Sequence, residues 1–138
     1  MRMRGYCIEF VKEDIGNTVV SNIKHDCILS KIILKTIDRT YDIGYMYEHI
    51  VYLSNCCYLD IRLFELFCGY GIGKYCIEQY ISIIKNKYKE IYVWTKDKIK
   101  SNMLLSIGFR FVEENIYKSL YVLNVSWGDT FVFKWKTY

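Results

Sequence analysis

The sequence predicts one α/β (α+β) domain, built on a mixed, mostly antiparallel β-sheet covered by helices. Three observations support this fold class. The chain has 138 residues, a length at which one hydrophobic core is expected. Four runs of β-type sequence precede the first amphipathic helix, and a second helix is flanked by further strands. No repeat, low-complexity tract or linker-like stretch divides residues 1–138, so we expect a single domain.

The first half of the chain predicts four strands. In the last of them, Leu59, Ile61 and Leu63 share one face, so one side of this strand is wholly apolar. The two middle runs flank a turn-like segment and are interpreted as a β-hairpin. Residues 18–26 fit no single element. The four strands are expected at residues 6–11, 27–36, 43–53 and 58–64.

The second half of the chain alternates helices with strands. Ile72, Cys76 and Tyr80 recur at helical spacing while polar residues face outward, which predicts an amphipathic helix. Gly108 is placed to end a second helix as its C-cap, and the end of the chain is interpreted as a closing hairpin. Helices are expected at residues 72–87 and 98–107, and strands at residues 90–95, 109–113, 119–125 and 131–136.

Composition and charge argue against several functional classes. No window holds the roughly eighteen consecutive apolar residues of a membrane span, and the first residues lack the apolar run of a signal peptide, so a cytoplasmic location is expected. The net charge is +4, and the lysines between Lys85 and Lys100 are interpreted as a solvated helix side, not a nucleic-acid surface. Six cysteines without CxxC spacing and only two histidines predict no metal site.

Three of the eight glycines fall at the joint between the fourth predicted strand and the first helix. Gly69, Gly71 and Gly73 allow positive φ and close approach of a ligand to the main chain. The N–H groups of the first helical turn and the helix dipole favour an anion there. The segment therefore predicts a phosphate-binding turn, although it fits neither the dinucleotide pattern G-x-G-x-x-G nor the phosphate-loop pattern G-x-x-x-x-G-K-[ST].

The segments around this turn resemble the Gcn5-related N-acetyltransferase family. In that family an apolar strand is followed by a short linker, the motif R/Q-x-x-G-x-G/A and an amphipathic helix. The similar segments of this chain are, in the same order, Leu59-Asp-Ile-Arg-Leu63, residues 64–67, Cys68-Gly-Tyr-Gly-Ile-Gly73 and residues 72–87. After one more strand, Ser101-Asn-Met-Leu-Leu-Ser-Ile-Gly108-Phe109 resembles the family's stretch that ends in Gly-Phe. The resemblance covers residues 43–115.

The resemblance implies a fold and a co-substrate. It implies a sheet of about six or seven strands with helices on both faces and a splayed central strand pair. Acetyl-CoA would bind in the cleft between these strands, with its pantetheine arm along the end of the first and its diphosphate on the glycine turn. The implied co-substrate residues are Leu63, Phe64, Glu65, Cys68, Gly69, Tyr70, Gly71, Ile72, Gly73, Lys74 and Asn102.

Two family positions are occupied differently in this chain. The Arg or Gln of the glycine motif corresponds to Cys68, or to Leu66 in an alternative register. The tyrosine that often serves as general acid corresponds to Leu104. Tyr117 or Tyr121 would replace that tyrosine only if the last hairpin folds over the site.

Carboxylates on the central strands are the candidates for a general base. Glu48 and Asp60 are the predicted catalytic residues, with Glu65 and His49 as further options. Asp60 shares a strand face with Arg62, so an ion pair between them is the simpler structural interpretation of that carboxylate.

These expectations predict an N-acetyltransferase in which an amine attacks acetyl-CoA directly, so that no cysteine nucleophile is required. The sequence leaves open whether the acceptor amine belongs to a small molecule, a peptide N-terminus or a lysine. It also leaves open whether two copies of the chain pair as a homodimer. One alternative is a non-catalytic protein of the same fold that binds acyl-CoA or a protein partner, which the unfilled Arg/Gln and Tyr positions favour. The other alternative is an unrelated basic domain that binds nucleic acid.

Overall fold

A computed structural model describes residues 2–3, 5–13, 26–69 and 71–125 of the chain. The predicted order of four strands, helix, strand, helix and two strands is confirmed there, with one short strand added at the start. Residues 14–25, and the predicted strand at 131–136, lie outside the described residues. The elements are β1 (Arg2–Met3), β2 (Tyr6–Lys12), β3 (Asp26–Lys35), β4 (Thr40–Val51), β5 (Cys56–Leu63), α1 (Ile72–Ile84), β6 (Glu90–Thr95), α2 (Lys98–Ile107), β7 (Arg110–Glu114) and β8 (Ser119–Asn124).

The strands form one eight-stranded sheet in the order β1-β2-β3-β4-β5-β6-β8-β7. Neighbouring strands are antiparallel, except that β5 and β6 are parallel. A parallel pair needs a crossover connection, and α1 supplies it between β5 and β6. The predicted mixed, mostly antiparallel sheet is therefore confirmed.

Local sequence explains where the two helices begin and end. The Asp97 carboxylate accepts a hydrogen bond from the Ile99 N–H at 2.8 Å and caps the start of α2. Gly108 ends α2 with φ 122°, as predicted, and its N–H donates to the carbonyls of the preceding turn. Helix α1 ends at Ile84, earlier than predicted, because the Lys87 N–H bonds only three residues back, to the Ile84 carbonyl at 2.8 Å.

The main core lies between one face of the sheet and the two helices. The apolar side predicted for β5 supplies Leu59 and Ile61 to it, and β6 supplies Ile91 and Val93. Burying each such aliphatic side chain contributes roughly 1.5–3 kcal/mol before entropy is counted. The helical side chains of this core are Ile72, Cys76, Ile77, Tyr80, Ile81 and Ile84 of α1 and Leu104 of α2.

Gly44 lies where the backbones of β4 and β5 leave no room for a side chain. A Cβ atom at this position would lie 2.1 Å from the Arg62 carbonyl oxygen, which no side chain tolerates. A register shift between Ile32 and Ile33 on β3 faces the same stretch of β4, so the sheet is irregular there. This irregularity lies beside the end of β5 from which the glycine turn begins.

The opposite face of the central strands carries aromatic and charged side chains. Because strand residues alternate between faces, this side receives residues that flank the core positions. The resemblance implied helices on both faces, but both α-helices of the described residues join the core of the first face, and no helix of those residues covers the second. The side chains of the second face include Tyr45, Tyr47, His49, Tyr58, Asp60, Arg62, Tyr92 and Trp94.

Candidate functional site

Strands β5 and β6 separate after a short paired stretch. They pair only at Cys56–Glu90, Cys57–Ile91 and Tyr58–Tyr92, although β5 continues to Leu63 and β6 to Thr95. Beyond Tyr58, no strand of the described residues pairs with the edge of β5 that faces β6. Main-chain N–H and C=O groups in such a gap bind an extended ligand as an added strand would. The predicted splayed central pair is confirmed.

The glycine turn lies at the wide end of this gap. Gly69 and Gly71 have φ of 86° and 76°, and a Cβ atom on either would meet nothing within 4 Å, so the main chain is open to a ligand. The Tyr75 N–H makes the first bond of α1, to the Gly71 carbonyl at 3.2 Å. The N–H groups of Gly73 and Lys74, and that of the residue before them, therefore precede the first intrahelical bond and favour an anion.

A cleft of about 350 Å³ joins the gap to the glycine turn. It brings together six of the predicted co-substrate residues, and it adds five that the sequence reasoning missed. The predicted residues that line it are Leu63, Cys68, Gly69, Gly71, Gly73 and Lys74, and the added ones are Ile61, Asp97, Ile99, Lys100 and Met103.

Four predicted co-substrate residues are placed elsewhere. The Phe64 N–H donates to the Ile43 carbonyl at 2.8 Å, and Glu65 begins a 3-10 turn, so their main chain is engaged locally. The Ile72 side chain is buried in the core. Asn102 lines a separate cavity of about 290 Å³ on the other side of α2. Tyr70 lies outside the described residues.

A larger cavity of about 700 Å³ opens on the second face of the sheet. Lys100 lines both this cavity and the cleft, so this residue lies where the two meet. Removal from water lowers the pKa of Lys100; the nearby carboxylates of Asp60 and Asp97 oppose that shift, while Arg62 adds to it. The cavity is lined by His49, Tyr58, Leu59, Asp60, Arg62, Trp94, Thr95, Lys96, Lys100, Tyr117 and Lys118.

Asp60, a predicted general base, lines this larger cavity together with the alternative base His49. The Asp60 carboxylate accepts a hydrogen bond from the Arg62 Nε at 3.1 Å, and the Arg62 Nη2 lies 3.1 Å from the same carboxylate oxygen. The ion pair anticipated from the sequence is therefore present. It leaves Asp60 partly exposed at the cavity wall.

Glu48, the other predicted base, is not brought to the site. Its side chain is 1% exposed and points to the helix-covered face. Its carboxylate accepts hydrogen bonds from Tyr80 at 2.6 Å, from Lys87 at 2.9 Å and from Tyr88. Burial alone would raise the pKa of Glu48, but these three donors and the Lys87 charge outweigh it and lower that pKa. A carboxylate held in this way has a structural role.

The position of the family's acidic tyrosine is closed. Leu104 there is fully buried in the core. Lys100, one helical turn earlier and on the same side of α2, lines the cleft and carries a proton donor. Its spacing of four from Leu104 is the sequence signal that could have identified it.

The cysteines of the core are unsuited to nucleophilic chemistry. Burial raises the pKa of the Cys76 thiol to about 12, and burial together with Glu48 raises that of Cys57 as well. Within the described part of the chain, no three His, Cys, Asp or Glu side chains are grouped as metal ligands would be. None of the helices described there is long and apolar enough to cross a membrane.

No protein-family model and no curated protein matches the chain, but solved structures do. A domain from Methanocaldococcus jannaschii matches with a TM-score of 0.62 at 17% identity, over 71% of this chain and 66% of that one. The microcin C7 self-immunity acetyltransferase MccE, in complex with acetyl-CoA and AMP, matches with a TM-score of 0.59 at 20% identity, over 71% of this chain and 61% of that one. A chimera of the spermidine N-acetyltransferase SpeG from Vibrio cholerae and hSSAT matches with a TM-score of 0.58 at 12% identity, over 70% of this chain and 67% of that one.

These likenesses define the fold. The chain has the fold of the Gcn5-related N-acetyltransferases, as the resemblance in sequence predicted. It spans 66% of the length of the first of these structures and 61% of the length of the second.

Proposed function

We propose that this protein is an N-acetyltransferase that transfers an acetyl group from acetyl-CoA to an amine on a small molecule, a peptide N-terminus or a lysine. The observation that carries the proposal is the split between β5 and β6, which opens beside the glycine-lined start of α1. One cleft thus offers an unpaired strand edge for amide groups and main-chain N–H groups for a diphosphate.

Acetyl-CoA would lie along this cleft. Its diphosphate would accept hydrogen bonds from the N–H groups of Gly73 and Lys74, and the Lys74 ammonium would add positive charge. Its pantetheine amides would pair with the free edge of β5 between Leu59 and Leu63. This pairing lies further into the sheet than the end of the strand, where the sequence placed it, because the main chain after Leu63 is engaged in local hydrogen bonds.

The acceptor would enter from the larger cavity on the second face. The amine nitrogen forms a bond to the thioester carbonyl carbon, the carbon–sulfur bond breaks, and the amine loses a proton while the thiolate gains one. Asp60 is the candidate to receive the amine proton or to orient the amine. Lys100, which lines both cavities, is the candidate to stabilise the thiolate or to protonate it.

A second candidate function is acyl-CoA binding without catalysis. The buried Leu104 in place of the family's tyrosine favours it, as does Cys68 in place of the Arg or Gln of the glycine motif. The two candidates share the cleft and differ only in whether free thiol is released.

Thermal stability with acetyl-CoA tests the cleft. Ligand at about one hundred times its Kd raises stability by about 2.7 kcal/mol, so we expect the Tm to rise by roughly 5–10 °C. Gly71→Glu places a carboxylate at the start of α1, and it should abolish the rise. Gly5→Glu is the matched control, since Gly5 has a similar φ of 80° and equally open surroundings in the turn before β2.

Release of coenzyme A thiol with a panel of amines then separates the two candidates. Thiol release that depends on both acetyl-CoA and an amine supports transfer. A Tm rise without release supports binding alone. If acetyl-CoA at millimolar concentration does not raise the Tm of the wild-type protein, the proposed function is wrong.

A further inference from the structure

We infer that the acceptor is an amine that also carries an anionic group, a carboxylate or a phosphate, held in the larger cavity on the second face of the sheet. This inference rests on the proposed function, because it names the class of acceptor for the same site. It depends on the charges and rings that line the cavity, none of which the sequence analysis gave an anion-binding role.

The lining of the cavity is strongly cationic. Among the described residues, four cationic side chains, Arg62, Lys96, Lys100 and Lys118, line the cavity together with one carboxylate, Asp60. Arg62 neutralises that carboxylate through two contacts of 3.1 Å, so the balance of four cations and one anion leaves an excess of three positive charges. A cavity with like charges on its walls attracts a ligand group of the opposite sign.

Two of these lysines are held at the cavity by their surroundings. Lys100 is partly buried, and the cost of removing its ammonium from water would be offset by an anion bound beside it. The Lys118 ammonium lies 4.9 Å above the centre of the Trp94 ring, a cation–π contact that keeps it over the cavity. Two of the three excess charges are therefore held at the cavity by neighbouring residues.

Aromatic rings form another part of the wall. Tyr58 stacks on Tyr92 with ring centres 5.1 Å apart, and Trp94 and Tyr117 also face the cavity. Such rings bind planar or apolar parts of a ligand. The carboxylates of Glu90 and Glu113 act electrostatically on Tyr58, but neither lines the cavity.

The same charges oppose a polycationic acceptor. A polyamine would bring several ammonium groups to a wall that already carries an excess of positive charge, and like-charge juxtaposition is costly. The acceptor named for SpeG, spermidine, is therefore the kind of amine that this cavity would bind poorly.

Three amines test the inference in the acetyl-transfer assay: tyramine O-phosphate, tyramine and spermidine. The first two share one ring and one primary amine and differ only by the phosphate. We expect kcat/KM for tyramine O-phosphate to exceed that for tyramine by about tenfold or more, and to fall as salt is raised. Spermidine should be the poorest of the three.

Lys96→Gln/Lys118→Gln should reduce the preference for the phosphate to about threefold or less, since it removes two of the three excess charges. Lys85→Gln, an exposed position after α1, is the matched control and should leave the preference intact. Equal use of the two tyramines, a preference for spermidine, or a phosphate preference that survives in the double variant would each overturn the inference.

The inference can be separated from the proposed function. If acetyl transfer occurs with the wrong preference, the proposed function stands and the inference falls. If no amine is acetylated, calorimetric titration of the protein with the two tyramines decides the matter. Tighter binding of tyramine O-phosphate in wild type, lost in the double variant, supports the cavity as an anion site, and equal or absent binding refutes it.

Discussion

The two faces of the central strands place two similar carboxylates in opposite environments. Glu48 and Asp60 belong to paired strands, where Glu48 faces Leu59 and Asp60 faces Tyr47. One register step separates the two pairs, and that step sends one side chain under the helices and the other into an open cavity. Glu48 is enclosed by two phenols and an ammonium, whereas Asp60 has Arg62 beside it and open space in front. The strand face, more than the residue type, therefore decides which carboxylate is enclosed by the core and which lines the open cavity.

The largest effect is expected from Glu48→Ala. The change leaves the hydroxyls of Tyr80 and Tyr88 without their acceptor in a buried place, so the free energy of unfolding should fall by about 3–5 kcal/mol. Urea denaturation monitored by circular dichroism measures it. Glu9→Ala removes one partner of the exposed Glu9–Lys35 ion pair and should cost under about 1 kcal/mol. Equal losses in the two variants would contradict the structural role of Glu48.

Asp60→Asn should reduce catalysis much more than stability, the reverse of what is expected for Glu48→Ala. The side chain keeps its shape but loses its charge, so stability should change by under about 1 kcal/mol while kcat for acetyl transfer falls by about 100-fold. Steady-state kinetics and urea denaturation measure the two effects. Arg62→Gln shows whether Asp60 acts only by orienting Arg62. If Arg62→Gln loses as much kcat as Asp60→Asn, the carboxylate has no direct role with the amine.

A smaller effect is expected from Lys100→Met, about tenfold in kcat with little change in affinity for acetyl-CoA. Because the pKa of Lys100 is lowered, its protonated form is lost at a lower pH than for an ordinary lysine near 10.4. If that form protonates the thiolate, kcat should fall as pH rises through the lowered pKa, and Lys100→Met should remove this limb of the profile. Full rescue by Lys100→Arg would point to charge alone.

Much of the fold could be predicted because hydrophobic periodicity is a local property. The alternation in residues 58–64 and the helical spacing from Ile72 onward correspond to β5 and α1, and Gly108 ends α2 as its backbone freedom suggested. The splayed strands came from the family resemblance, since no local pattern specifies where two strands cease to pair.

The site was predictable only in part, because it depends on which face each side chain takes. The glycines could be placed, since a turn between strand and helix fixes their position along the chain. Glu48 could not be distinguished from Asp60, as its three donors come from α1 and the residues just after it. Lys118 was missed for a related reason: it meets Trp94 only through the pairing of β6 with β8.

The most direct measurement is a titration of the ¹⁵N-labelled protein with coenzyme A, followed through the amide resonances. If the start of α1 holds the diphosphate, the amides of Gly71, Gly73 and Lys74 should show the largest shift changes, followed by those of β5 from Leu59 to Leu63. The amide of Gly108, which is bonded to the Leu104 and Leu105 carbonyls at the far end of α2, should stay in place. Binding of coenzyme A with unchanged resonances from Gly71 to Lys74 would contradict the account.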